Sequence, residues 1–102
     1  MTVVVTSGYA KTSFTYAYYT QVTVGTTSTR LTSVDTHLMR GVLIKADNDN
    51  TGNVYVGGVP SVTTSNGFRL AAGEGVLIEI DNANKVYMIA DASNQKVHVI
   101  GV

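Results

Sequence analysis

Across residues 73–102 the apolar side chains recur at every second position, in three short runs parted by two polar turns. Val76, Ile78 and Ile80 share one parity. Val86, Met88 and Ala90 share another, and so do Val97 and Val99. Side chains alternate across a β-strand with period two, so each run describes a strand with one apolar face. Asn82-Ala83-Asn84 and Ser93-Asn94 supply the turns, using residue types that bond to their own backbone and tolerate tight conformations. The expectation for this third of the chain is a three-stranded meander with one apolar side.

The same bias runs through all 102 residues, a length that suits one domain. Val (16) and Thr (14) are the commonest residues and Leu (5) is scarce. β-Branched side chains fit a pleated surface and lose rotamer freedom in a helix, so strands are favoured throughout. Turn signals recur every 8–12 residues or so, a spacing that points to a sandwich or a barrel. The fold expected is therefore all-β: a single small β-sandwich or jelly-roll barrel over residues 13–102, with an extended N-terminal arm over residues 1–12.

Several function classes are disfavoured by composition. Seven basic and seven acidic residues give a formal net charge of zero, without a run of either sign. A nucleic-acid partner is not expected, because the basic footprint that neutralises phosphates is missing. The lack of Cys excludes disulfides and thiolate chemistry. No apolar run approaches the length of roughly 20 residues that spans a bilayer, so no membrane partner is expected. The opening MTVVVTSGYAK lacks the charged and apolar regions of a signal peptide, and synthesis in a cytoplasm follows as the expectation. A near-neutral surface rich in Thr, Ser and Asn does not oppose self-association.

Along the chain, Val3 and Val5 alternate with Thr before Ser7-Gly8 interrupts. Residues 13–24 form a long strand in this reading, with Phe14, Tyr16, Tyr18, Val22 and Val24 on one face and Tyr19 out of phase. A short strand at 30–34 and a helical turn at 35–38 come next. Residues 39–46 and 54–56 read as a hairpin closed by the polar turn 47–52, and residues 59–67 as a loop carrying Pro60.

No constellation carries catalysis well. Asp47-x-Asp49-x-Thr51 after an apolar strand is compatible with phosphoryl transfer only on a parallel α/β scaffold, for which the chain is too short. Asp47, Asp49 and Gly52 match the start of a calcium loop, yet Gly58 stands where a bidentate Glu is needed. A polar hairpin turn is the better reading. His37 and His98 lack evident further ligands for a metal site. The two glutamates, Glu74 and Glu79, have no defined cleft in which to act as a glycosidase pair. No enzyme activity, metal or cofactor is expected. The aromatic row Phe14, Tyr16, Tyr18 and Tyr19 is the strongest candidate of another kind, because Tyr brings area and a polar tip to an interface at low entropic cost.

Four segments carry a resemblance. TGNVYVGG at 51–58, SNGFRLAAGE at 65–74, and VLIEID at 76–81 followed by KVYMIA at 85–90 make the second half of the chain similar to small virion β-proteins of tailed bacteriophages. It resembles the jelly-roll modules of capsid decoration (cement) proteins and head fibres. The resemblance implies a capsid decoration protein, a homo-oligomer (a trimer above all) that binds the outside of the shell. The partner implied is the major capsid protein, and the location is the virion surface. Val3, Val5, Tyr9, Tyr16, Tyr18 and Tyr19 are the interface residues expected. The alternative is a head-fibre, tail-tip or receptor- or glycan-binding module that reads its ligand with residues 47–52 and 59–67.

Overall fold

The computed structural model describes residues 17–102. Eight strands follow in chain order: β1 (Tyr18–Val24), β2 (Thr29–Arg30), β3 (Val42–Ala46), β4 (Val54–Gly57), β5 (Phe68–Leu70), β6 (Gly75–Ile78), β7 (Tyr87–Ala90) and β8 (Gln95–Gly101). Among the described residues there is one 3₁₀ turn, Ala83–Lys85, between β6 and β7. Among the described residues the fold is all-β, as the β-branched composition requires.

The strands form two four-stranded antiparallel sheets. One has the order β1-β8-β3-β6 and the other β2-β7-β4-β5. Alternation sets which side chains meet between them. Val24, Val42, Ile44, Ala46, Val97 and Val99 from the first sheet join Val54, Val56, Leu70, Met88 and Ala90 from the second in one buried cluster. Leu31, Leu38, Ala83 and Val86 come into the same cluster from the connections. The arrangement is sandwich-like, two sheets around a single core.

The expected pairings do not hold. β6, β7 and β8 are not a meander: β6 pairs with β3, β7 with β4 and β2, and β8 with β1 and β3. Consecutive strands here cross from one sheet to the other. The hairpin expected between 39–46 and 54–56 is absent for the same reason, since β3 and β4 lie in different sheets. Period-two alternation reports that a strand has one covered face and is silent about its neighbour. The short strand at 30–34 shrinks to Thr29–Arg30. The helical turn expected at 35–38 is instead an extended bridge from His37 to Asn82, and a helical turn lies at Ala83–Lys85.

Two buried amides clamp the connections. The Gln95 side chain accepts from the Gly52 N–H (2.8 Å) and donates to Thr51 Oγ1 (3.0 Å) and the Ser93 carbonyl (2.8 Å). It thereby ties the 47–52 turn to the turn before β8. The Asn82 Oδ1 accepts from the backbone N–H of Thr36 (3.0 Å) and Asn84 (3.1 Å), while its amide donates to Asp35. Both buried amides have their hydrogen-bonding groups met, which is the condition for burying polar atoms without a net loss.

A candidate interaction face on the outer sheet

The alternation that buries one face of β1-β8-β3-β6 sends the other face outward. In register, Tyr19 stands opposite Ile100, Ile100 opposite Leu43, and Leu43 opposite Leu77. These four residues form one row across all four strands. Tyr19 is 77% exposed, Ile100 49%, Leu43 42% and Leu77 66%. With strands about 4.8 Å apart, the row is about 14 Å long. Single exposed apolar residues are ordinary, whereas a contiguous row reaching from edge to edge is the mark of a contact surface.

The adjacent row is polar: Gln21 opposite His98, His98 opposite Lys45, and Lys45 opposite Gly75. The Lys45 ammonium donates to Asn48 Oδ1 at 3.3 Å. Asp47 leaves the end of β3 and accepts from His98 Nε2 at 2.7 Å. Its other oxygen accepts from the Asp49 N–H at 2.8 Å. The backbone donor of Asp49 first, and the His98 hydrogen bond second, hold the Asp47 carboxyl below its ordinary pKa, with partial desolvation opposing them. A shallow depression of about 520 Å³ lies here, lined by Tyr19, Thr20, Gln21, His98 and Val99. On the other side of the apolar row sit Glu79, Arg40 and Val102, which share a hollow with Leu77.

The second apolar feature is a cleft of about 250 Å³ where edge strands β5 and β6 part. Val56, Phe68, Val76, Ile78, Ile80 and Val86 line it, with Lys85 among them. The Lys85 ammonium is held by Asp81 at 2.8 Å. That pairing, first through the hydrogen bond and then through charge, lowers the Asp81 pKa.

Of the interface residues expected from sequence, Val3, Val5, Tyr9 and Tyr16 lie outside the described residues. Tyr18 and Tyr19 divide by parity. Tyr18 is half-buried and packs on the core, and Tyr19 opens the outer row. Leu43, Leu77 and Ile100 were not foreseen. Their signal is a break in alternation: Val42-Leu43-Ile44, Val76-Leu77-Ile78 and Val99-Ile100 place an apolar residue on both parities, as a strand covered on both faces would.

The acidic candidates are dispersed. Asp47, Asn48, Asp49 and Asn50 form a hydrogen-bonded turn, with the Asn50 side chain bridging to the backbone of Lys96 in both directions. Glu74 accepts from the Ala71 N–H at 2.8 Å within its own turn. Glu79 lies at the other end of β6, about 16 Å along an extended backbone, too far to work with Glu74 as a glycosidase pair. His37 is exposed and lies 3.5 Å from Asp35. Among the described residues no three His, Asp or Glu side chains gather as a metal-ligand set. No helix among them is long and apolar enough to cross a membrane. The chain matches no protein-family model, no curated protein and no solved structure.

Proposed function

We propose that this chain is a capsid decoration protein, which binds the outside of a bacteriophage shell and stabilises it by burying surface between subunits. The observation that carries the reading is the exposed row Tyr19–Ile100–Leu43–Leu77, which leaves an apolar stripe in water across a whole sheet. The strand order supports a jelly roll. Eight strands in the orders β1-β8-β3-β6 and β2-β7-β4-β5 are what two interleaved Greek keys produce, and double-sheet jelly rolls recur in viral capsid domains.

In this reading the major capsid protein is the partner and the virion surface the location. The mechanism is interface burial. A stable contact removes on the order of 1,600 Å² from water, and many copies on one shell add avidity. Val3, Val5 and Tyr9 add contacts from the N-terminal arm, and Tyr16, Tyr18 and Tyr19 from the Tyr-rich stretch 13–24. The test is cosedimentation of the purified chain with undecorated shells of its own phage. Saturable, stoichiometric binding that raises shell melting temperature is expected, and no binding refutes the proposal.

A glycan-binding fibre or tail module is the second reading. It is favoured by the depression in which the exposed Tyr19 ring lies beside Gln21 and His98, a surface able to stack on a sugar and hydrogen-bond to it. Glycan binding that survives deletion of residues 1–12 and is lost in Tyr19→Ala would select it.

A further inference from the structure

We propose that Asn66–Gly67 is a self-modification site, where the chain deamidates its own asparagine, and that the folded turn over residues 63–67 holds it closed.

Chemistry singles out this pair. Asn66 alone among the seven asparagines precedes a glycine. With no Cβ beside its nitrogen, glycine lets the backbone fold most readily into the five-membered ring that deamidation requires. The Gly67 nitrogen bonds to Asn66 Cγ and loses its proton. The Cγ–Nδ2 bond breaks and ammonia leaves. Water then opens the succinimide at either carbonyl, which leaves aspartate or isoaspartate at position 66.

Two separate structural demands place the reactive groups side by side. A Cβ on Gly67 would lie 2.7 Å from Tyr55 Cβ and 3.0 Å from Val62 Cγ2, so the turn packs on β4 only without a side chain there. Asn66 Oδ1 accepts from the Thr63 N–H at 2.7 Å, and Thr63 Oγ1 accepts from the Asn66 N–H at 3.2 Å. That reciprocal pairing has the form of a capping box.

The same contacts guard the pair. The Gly67 N–H donates to the Thr63 carbonyl at 2.9 Å. The attacking nitrogen and the carboxamide it would attack are thus each bonded to Thr63. Cyclisation needs the nitrogen to shed its proton and to meet Cγ in an aligned geometry at about 3–3.5 Å. In the closed turn one hydrogen bond holds the proton and another sets the carboxamide. Asn66 is exposed, so water reaches it and burial is not the guard. Reaction passes through the opened turn, and its rate follows the open population.

The two products differ in consequence. Aspartate keeps an acceptor oxygen for Thr63 and adds one negative charge to a chain of zero net charge. Isoaspartate adds an atom to the main chain just before β5, whose Phe68 stands opposite Val56. Gly67 then leaves its seat on Tyr55, and edge strand β5 is loosened.

Peptide mapping by mass spectrometry tests this on the full chain, incubated folded and in concentrated urea at mildly alkaline pH. In urea, Asn66 is expected to convert before any other asparagine. In the folded chain its conversion is expected to be at least about 10-fold slower, a factor that two modest hydrogen bonds supply. Hydrogen exchange at the Gly67 amide measures the open population independently. Its protection is expected to match the slowing of deamidation within about threefold. Thr63→Ala, at an exposed position, removes the Oγ1 acceptor of the Ser65 and Asn66 N–H groups. It is expected to speed conversion in the folded chain several-fold, with the circular dichroism spectrum unchanged.

Another asparagine converting first in urea overturns the site. Equal rates in the folded and unfolded chain, or a Gly67 amide that exchanges without protection, overturn the guard. A folded Thr63→Ala that converts no faster than the wild type also overturns it. If that variant loses its fold, the exchange measurement on the wild type decides.

Discussion

Leu43 and Ile100 stand directly opposite each other on β3 and β8 and both face solvent, while their chain neighbours Ile44 and Val99 stand opposite each other inside the core. One residue of offset thus separates a solvent-facing position from a packing position. Ile44→Ala is expected to cost about 2–5 kcal/mol, because it removes buried atoms and leaves a cavity. Leu43→Ala is expected to cost under about 1 kcal/mol. Urea unfolding of the two variants measures the difference, and equal losses would mean that the outer face is structural.

Asn82 joins the 35–38 connection to the 3₁₀ turn through three hydrogen bonds. Asn82→Ala leaves the Thr36 and Asn84 backbone donors unmet, at a cost of about 2 kcal/mol, with faster hydrogen exchange at both amides. Asn82→Asp keeps the acceptor but sets a second carboxylate against Asp35. That variant is expected to be destabilised at neutral pH and to recover as the pH approaches about 4. A melting temperature of Asn82→Asp that is flat with pH would count against this account.

The Asp47 carboxyl is held below its ordinary pKa by the Asp49 N–H and by His98. A carboxylate depressed in the folded state contributes stability above its unfolded pKa, about 3.9, and loses it as the pH falls through the folded value. Asp47→Asn should therefore melt below the wild type at pH 7, and the gap should close in acid, below about pH 4. Asp81, lowered by Lys85, retains its own acid sensitivity in the variant. Parallel melting curves across this range would exclude Asp47 as a stabilising carboxylate.

Gly41 leads into β3 with φ +146°, and a Cβ built there would lie 2.1 Å from the Ile78 carbonyl oxygen. The backbone of β6 occupies that space and cannot yield as a side-chain tip would. Gly41→Ala is expected to cost about 3 kcal/mol or more. Gly58, with open space around its Cβ direction, is the control, and Gly58→Ala should lie within about 0.5 kcal/mol of the wild type. Chemical denaturation of the pair decides the point.

The face that each strand turns to the core was readable from residue order. Val42, Ile44 and Ala46 share a parity, as do Val97 and Val99, and a covered strand has no other way to arrange them. Turn chemistry was readable too, at 47–52, where the polar side chains bond within the turn and to Lys96. Two relations were not. Nothing in the alternation of 76–80, 86–90 and 97–99 says that β6 and β7 belong to different sheets, because every antiparallel neighbour presents the same backbone donors and acceptors. Nor does it say that Leu43, Leu77 and Ile100 align with Tyr19, since they lie far apart in the chain and meet only through register.

Local order therefore determined the all-β character, the approximate strand positions and which side chains are covered, because these depend on period and propensity within a few residues. Tertiary structure alone decided which strands pair, which buried amides clamp the connections, and that four separated apolar residues make one continuous row. Those depend on long-range pairing, whose free energy is set by how two whole sheets pack around one core.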